Sequence, residues 1–152
     1  MTNDYIVSSL PALEFGIPPA LTRERFAEIA GEAALEPPAE WVDLETQLKN
    51  ALVEARGGDE KYRREAQGCS LYWKNRVLEC FREKDVIKRE ELLDRVWWDA
   101  AGELSDVASP LGRGALATYA VRLSIALRRA AVSKETGEGV LDAVTRSAEV
   151  KL

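Results

Sequence analysis

Leu111-Gly112-Arg113-Gly114-Ala115-Leu116-Ala117-Thr118-Tyr119-Ala120-Val121-Arg122-Leu123-Ser124-Ile125-Ala126-Leu127-Arg128-Arg129-Ala130-Ala131-Val132 is the most apolar and most regular stretch of this chain. Leu116, Tyr119, Ala120, Leu123, Leu127 and Ala130 recur at three- and four-residue steps, which places them on one face of an α-helix. Arg113, Arg122, Arg128 and Arg129 lie mostly off that stripe. Ser109-Pro110 just upstream offers a capping hydroxyl and a first-turn proline, so the helix has a defined start. Its small residues permit close packing, expected against the third and fourth helices of the chain.

The flanking sequence repeats the helical period. Thr22 is a candidate N-cap for a first helix over 22–34, with Phe26, Ile29, Ala30 and Ala33 inward. Pro37-Pro38 opens a second, over 38–56, with the stripe Trp41, Leu44, Leu48, Ala51, Leu52 and Ala55, and Gly57-Gly58 stops it. Asp59 is read as the cap of a third helix, over 60–83. Tyr62, Ala66, Cys69, Trp73, Val77 and Cys80 share one face, and Leu71, Leu78 and Phe81 form a second apolar line. Apolar faces on two sides predict a central helix, weakened locally at Gly68. A fourth helix, over 87–107, carries Leu93, Val96, Trp97, Ala100, Leu104 and Val107. Lys134 to Gly139 reads as a polar break before a sixth helix, over 138–150, with Val140, Leu141 and Val144 inward. The first 19 residues are apolar but interrupted by prolines and Gly16, which predicts an extended strap packed on the body through Leu10, Leu13, Phe15 and Ile17. The expected fold is an all-α bundle of about six helices with that strap, one domain over 1–152.

Composition narrows the function classes. The 152 residues carry a net charge of -5 with acids and bases intermixed, which argues against a nucleic-acid binder and against an anionic membrane surface. Histidine is absent, so the commonest metal ligand and general base are missing. Cys69 and Cys80 stand about three helical turns, or ~16 Å, apart, too far for a disulfide on one helix. They read as buried free thiols of a reducing compartment. No apolar run reaches the ~18 residues that span a bilayer. Met1-Thr2-Asn3-Asp4 is not a basic, signal-like start, so a cytoplasmic location is expected.

Tyr5-x-Val7-Ser8-Ser9-Leu10-Pro11-x-Leu13, followed by Phe15-Gly16 and a proline-rich step into an acidic helix, resembles the N-terminus of an uncharacterised bacterial family encoded in V-type (A/V-type) ATPase operons. Trp98-Asp99 with Glu103-Leu104, and Tyr119-Ala120-Val121-Arg122-Leu123-Ser124-Ile125, are similar to later parts of that family. The resemblance covers about the first 25 residues and about 40 near the C-terminus. It implies a non-catalytic helical subunit or assembly factor of a bacterial V-type ATPase. Such a protein acts through contacts with ATPase subunits, in the cytoplasm and peripheral to the inner membrane. A stand-alone helical adaptor, able to self-associate or bind a partner helix, is the alternative.

The candidate sites are correspondingly few. Glu90, Glu91 and Asp94 fall in the first turns of the fourth helix, where the macrodipole favours acids without any catalytic role. Two cysteines without histidine fail the ligand count of a zinc site. Gly112 and Gly114 lack the Gly-Lys-Ser/Thr of a phosphate loop and read as points of close helix approach. No catalytic residue, cofactor or metal is therefore expected. Of the adjacent tryptophans, Trp97 falls on the core stripe, while Trp98 points toward the edge beside Arg95, as a partner anchor would. Arg128 and Arg129 sit near the expected helix C-terminus, where either the dipole or an acidic partner accounts for them. Trp98, Arg95, Arg128 and Arg129 are thus the candidate partner-binding residues.

Overall fold

The computed structural model describes residues 3–106 and 113–150, with side chains over 5–105 and 113–133. The described residues form helices and no strand, the all-α architecture that the periodicity predicts. In chain order they are α1 (Asn3–Ser9), α2 (Arg23–Ala30), a 3-10 turn (Glu32–Leu35), α3 (Ala39–Ala55), a second 3-10 turn (Glu60–Tyr62), α4 (Leu71–Cys80), α5 (Val86–Ala101), the short α6 (Glu103–Asp106) and α7 (Arg113–Val150).

The boundaries follow from capping chemistry. Thr22 Oγ1 accepts the Arg25 amide at 3.1 Å, and Asp85 Oδ1 accepts those of Ile87 and Lys88 at 2.9 and 3.2 Å. Each satisfies donors that a helix start leaves unbonded. Gly57 ends α3 with φ at 72°, which lets the Gly58 amide reach back to the Val53 carbonyl at 2.8 Å. The expected Ser109-Pro110 start lies outside the described residues.

Two apolar clusters build the body. Trp41, Leu44, Leu48 and Ala51 of α3 meet Trp73, Val77 and Cys80 of α4 and Leu93, Val96, Ala100 and Ala101 of α5. Leu10, Leu21 and Phe26 from the N-terminal part meet Leu116, Tyr119 and Leu123 of α7. Trp98, Ile125 and Ala126 join the two sides. The end of α5 is tied to α7 by polar groups as well. Thr118 Oγ1 donates to the Ala101 carbonyl at 2.8 Å and Arg122 Nε to the Trp98 carbonyl at 3.0 Å, covering carbonyls that the helix end leaves open. Gly114 fulfils the expected close approach: a Cβ there would collide with the Leu104 carbonyl.

Six expectations are corrected. The N-terminal head is not wholly extended, since residues 3–9 coil into α1. Ser8 and Ser9 hydroxyls donate to the carbonyls of Tyr5 and Ile6, three residues back, and Pro11 then prevents continuation. Of the strap residues, Leu10, Leu13 and Phe15 pack, whereas Ile17 is exposed. The third helix is much shorter than its period suggests, α4 beginning only at Leu71, and Asp59 caps the 3-10 turn instead. Tyr62 and Cys69 are exposed, so one of the two thiols is not buried. The centre belongs to α5, which touches α3, α4, α6 and α7. Finally, no break separates a fifth helix from a sixth. The 134–139 segment contains no proline, and two glycines at about 1 kcal/mol each do not end a long helix. The inward placement of Val140, Leu141 and Val144 lies outside the described side chains.

Residues 63–70 stay non-helical because α3 supplies their hydrogen bonds. Asp43, Gln47 and Asn50 share a face at i, i+4 and i+7. Asp43 accepts the amides of Gln67 and Gly68 at 2.6 and 3.1 Å, and Gln47 Oε1 accepts that of Ser70 at 2.8 Å. Asn50 exchanges two bonds with the Arg64 backbone. A Cβ on Gly68 would stand 2.5 Å from Gln47 Nε2, so glycine is what lets the loop lie this close. The bonds from Gln67, Gln47 and Gly68 hold the Asp43 carboxyl below its ordinary value of 3.8, against a smaller opposing effect of burial. A depressed carboxylate stabilises above its ordinary pKa, and the effect fades as pH falls through the folded value. Asp43→Ala is therefore expected to accelerate hydrogen exchange at Gln67 and Gly68 at neutral pH. In the unaltered protein the same protection should fade only in acid, below pH 3.8. Equal exchange in both proteins would show that other contacts hold the loop.

Candidate functional site

Between α3, α5 and α7 lies an open cleft of about 570 Å³, walled on one end by Leu35, Pro37 and Pro38. Trp41, Leu93, Trp97, Val121 and Ile125 give it an apolar lining. Its rims carry charge. Trp97 Nε1 donates to Glu45 Oε2 at 3.3 Å, and Lys49 pairs with Glu45 at 3.4 Å. Arg128 binds Asp94 on the opposite rim, and Glu90 also lines the cleft. An apolar lining with charged rims suits an inserted side chain of a helix or peptide. Among the described residues no three histidine, cysteine, aspartate or glutamate side chains lie close enough to hold a metal ion.

The two tryptophans exchange the places expected of them. Trp98 is only 5% exposed, while Trp97 is half-buried and lines the cleft. α5 is covered on two sides, by α3 and α4 and by α7 with the strap, and Trp98 falls under the second cover. Phe15 meets its indole edge-on at 5.6 Å, and the Arg122 guanidinium lies over it at 5.3 Å. Trp98 is thus the anchor for this chain's own strap.

The candidate arginines gather around the same strap. The Phe15 ring has the Arg95 guanidinium at 5.1 Å and the Arg129 guanidinium at 4.5 Å from its centre. Such cation–ring contacts contribute about 0.5–2 kcal/mol each, more where water is excluded. Arg129 also pairs with Asp94 at 3.0 Å and with Glu91 at 3.8 Å, and its buried Nε has no hydrogen-bond partner among the described residues. Because α7 continues to Val150, Arg128 and Arg129 lie in the helix interior, and the dipole explanation for them falls away. Asp94, bound by both, has a structural use.

Three charged residues outside the expected set complete this side. Arg76 Nη2 donates to Asp99 Oδ2 at 3.0 Å, and Arg95 Nε to Asp99 Oδ1 at 3.1 Å. Burial opposes the charge on Arg76, but Asp99 and the neighbouring Tyr72 outweigh that and raise it above the ordinary value. Arg122 is moved the other way. Burial lowers it, Arg95 adds to the effect, and Asp99 opposes it. Nothing in the spacing of Asp99 and Arg122 links them to Arg76. No protein-family model, curated protein or solved structure matches this chain.

Proposed function

We propose that this chain works by protein contact, as a non-catalytic helical subunit or assembly factor of a bacterial V-type ATPase. The resemblance of its head and its late segments to the operon-encoded family motivates the assignment. One observation supports it: the stretches that carry the resemblance are packed against one another. Tyr119 Oη donates to the Pro11 carbonyl at 2.6 Å, Leu10 lies in one cluster with Leu116 and Leu123, and Phe15 covers Trp98. The separate stretches that resemble the family thus meet in one packed unit.

A second reading is favoured by the cleft. A stand-alone adaptor would seat the apolar face of a partner helix between Trp41, Trp97 and Val121, independently of any ATPase. Self-association through Trp98 is not open to it, because the strap covers that indole. No helix among the described residues is long and apolar enough to cross a membrane.

Affinity purification of the full chain from its source cell under mild detergent separates the readings. Recovery of V-type ATPase subunits is the expected result. A purification that yields other partners and no ATPase subunit removes the assignment and leaves the adaptor.

A further inference from the structure

Three guanidiniums converge at the end of α5 with one carboxylate among them. Arg76 and Arg95 each take one oxygen of Asp99, and Arg122 enters from α7 onto the Trp98 carbonyl. Arg122 makes no ion pair among the described residues. Among the described residues no acid other than Asp99 forms an ion pair with these three arginines. Glu91 and Asp94 are engaged by Arg128 and Arg129, and Glu103 accepts the Trp73 indole N–H. Glu79, three residues along α4 from Arg76, forms no ion pair with it among the described residues. A guanidinium carries five N–H donors, and the Asp99 and Trp98 oxygens take one from each arginine. The Arg76 and Arg95 side chains are 27% and 51% exposed, so solvent and solutes reach them.

We propose that Arg76, Arg95 and Arg122 receive the carboxylates of an acidic segment, rich in Asp and Glu, of a partner protein. The inference rests on the reading that the chain acts by protein contact. Planar guanidiniums bind carboxylates through paired N–H donors, which gives direction as well as attraction. A protein segment fits better than a nucleic acid or an anionic bilayer. The chain as a whole carries -5, which repels an extended polyanion more strongly than a short segment that brings only a few carboxylates to the arginines. The patch also continues into apolar contact surface. Leu71 and Tyr72 are both exposed, and the Arg76 guanidinium lies over the Tyr72 ring at 6.0 Å. Tyrosine beside arginine is the composition of interface cores.

The test is fluorescence anisotropy of an end-capped peptide of alternating Glu and Leu, titrated with the full chain. Saturable binding that weakens as salt rises is expected. Arg76→Gln and Arg95→Gln should each weaken it about tenfold, the scale of one lost charge-assisted contact. Arg122→Lys, which keeps the charge and loses the fork, should weaken it less than Arg122→Gln. Lys49→Gln and Arg56→Gln, on the cleft rim, should leave it unchanged. Equal affinity for a Gln-Leu peptide, or unchanged binding in both Arg76→Gln and Arg95→Gln, overturns the proposal. So does complete displacement of the peptide by inorganic phosphate, or preferential binding to phosphatidylserine vesicles. Failure of peptide binding with ATPase subunits still recovered removes this site alone, and the converse removes the ATPase assignment alone.

Discussion

Leu123→Ala is expected to lower the unfolding free energy by about 2–5 kcal/mol, the range for emptying a buried leucine site. Leu123 is 2% exposed and closes the cluster in which Leu10, Leu21 and Phe26 meet Leu116 and Tyr119. The cost depends on how far the surroundings can relax into the space. Here they relax little. Phe26 and Tyr119 are stacked at 5.7 Å, and Tyr119 is held by its hydrogen bond to Pro11. Neither ring can turn into the cavity without losing the other contact, so the upper half of the range is expected. For a chain of this length each kcal/mol lowers the melting temperature by roughly 2–4 °C. Leu92→Ala, at a site 45% exposed, is the control and should change stability by less than about 0.5 kcal/mol. Urea denaturation of the two variants measures the difference. A loss below about 1 kcal/mol for Leu123→Ala would show that the α7 stripe is not core.

That stripe was legible because Leu116, Tyr119, Ala120, Leu123 and Leu127 of α7 meet a single cluster. α3 was legible for the same reason, and Thr22 and Gly57 marked helix ends by local chemistry alone. The misreadings arise where a residue's partner is distant in sequence. Tyr62, Ala66 and Cys69 keep a helical spacing, but the backbone between them is bonded by Asp43, Gln47 and Asn50, which read on their own as the wet face of α3. Trp97 and Trp98 are about 100° apart on their helix. Choosing between them required knowing that α5 is covered twice. The site suffered most. Arg95, Arg128 and Arg129 were singled out, yet their carboxylate and aromatic partners come from the strap and from α5. Asp99 stands four residues after Arg95, a helical ion-pair spacing, but its bridge to Arg76 of α4 has no sequence signal because it exists only once α4 packs on α5.

Deleting residues 1–19 is expected to lower stability by at least ~3 kcal/mol and to make the protein self-associate. The first effect is a balance. Burying Leu10 contributes about 1.5–3 kcal/mol, and Ile6, Val7, Leu13 and Phe15 add smaller shares because they are only partly covered. Ordering the irregular part of the head costs chain entropy, which opposes that gain. The larger loss falls on the body, where Leu116, Tyr119 and Trp98 become exposed together. Such a continuous apolar face drives association, so light scattering should report a rise in mass alongside a lower denaturation midpoint. Tyr119 supplies an internal readout. Burial raises its phenol above the ordinary value of about 10, and the Pro11 carbonyl takes its proton as a hydrogen bond. A raised pKa stabilises below the ordinary value and loses that contribution as pH rises through the folded one, so the full chain should weaken in alkali. The truncated protein should titrate Tyr119 close to 10 and lack that alkaline loss. Phe15→Ala separates the parts of the head. It leaves α1 and Leu10 in place, uncovers Trp98, and removes the ring between Arg95 and Arg129. A red-shifted tryptophan emission with Tyr119 unchanged would place Phe15 as the cover of Trp98 alone. An unchanged denaturation midpoint in the truncated protein would mean instead that the head is free to engage a partner. The residues that carry the family resemblance would then belong to an interface rather than to the fold.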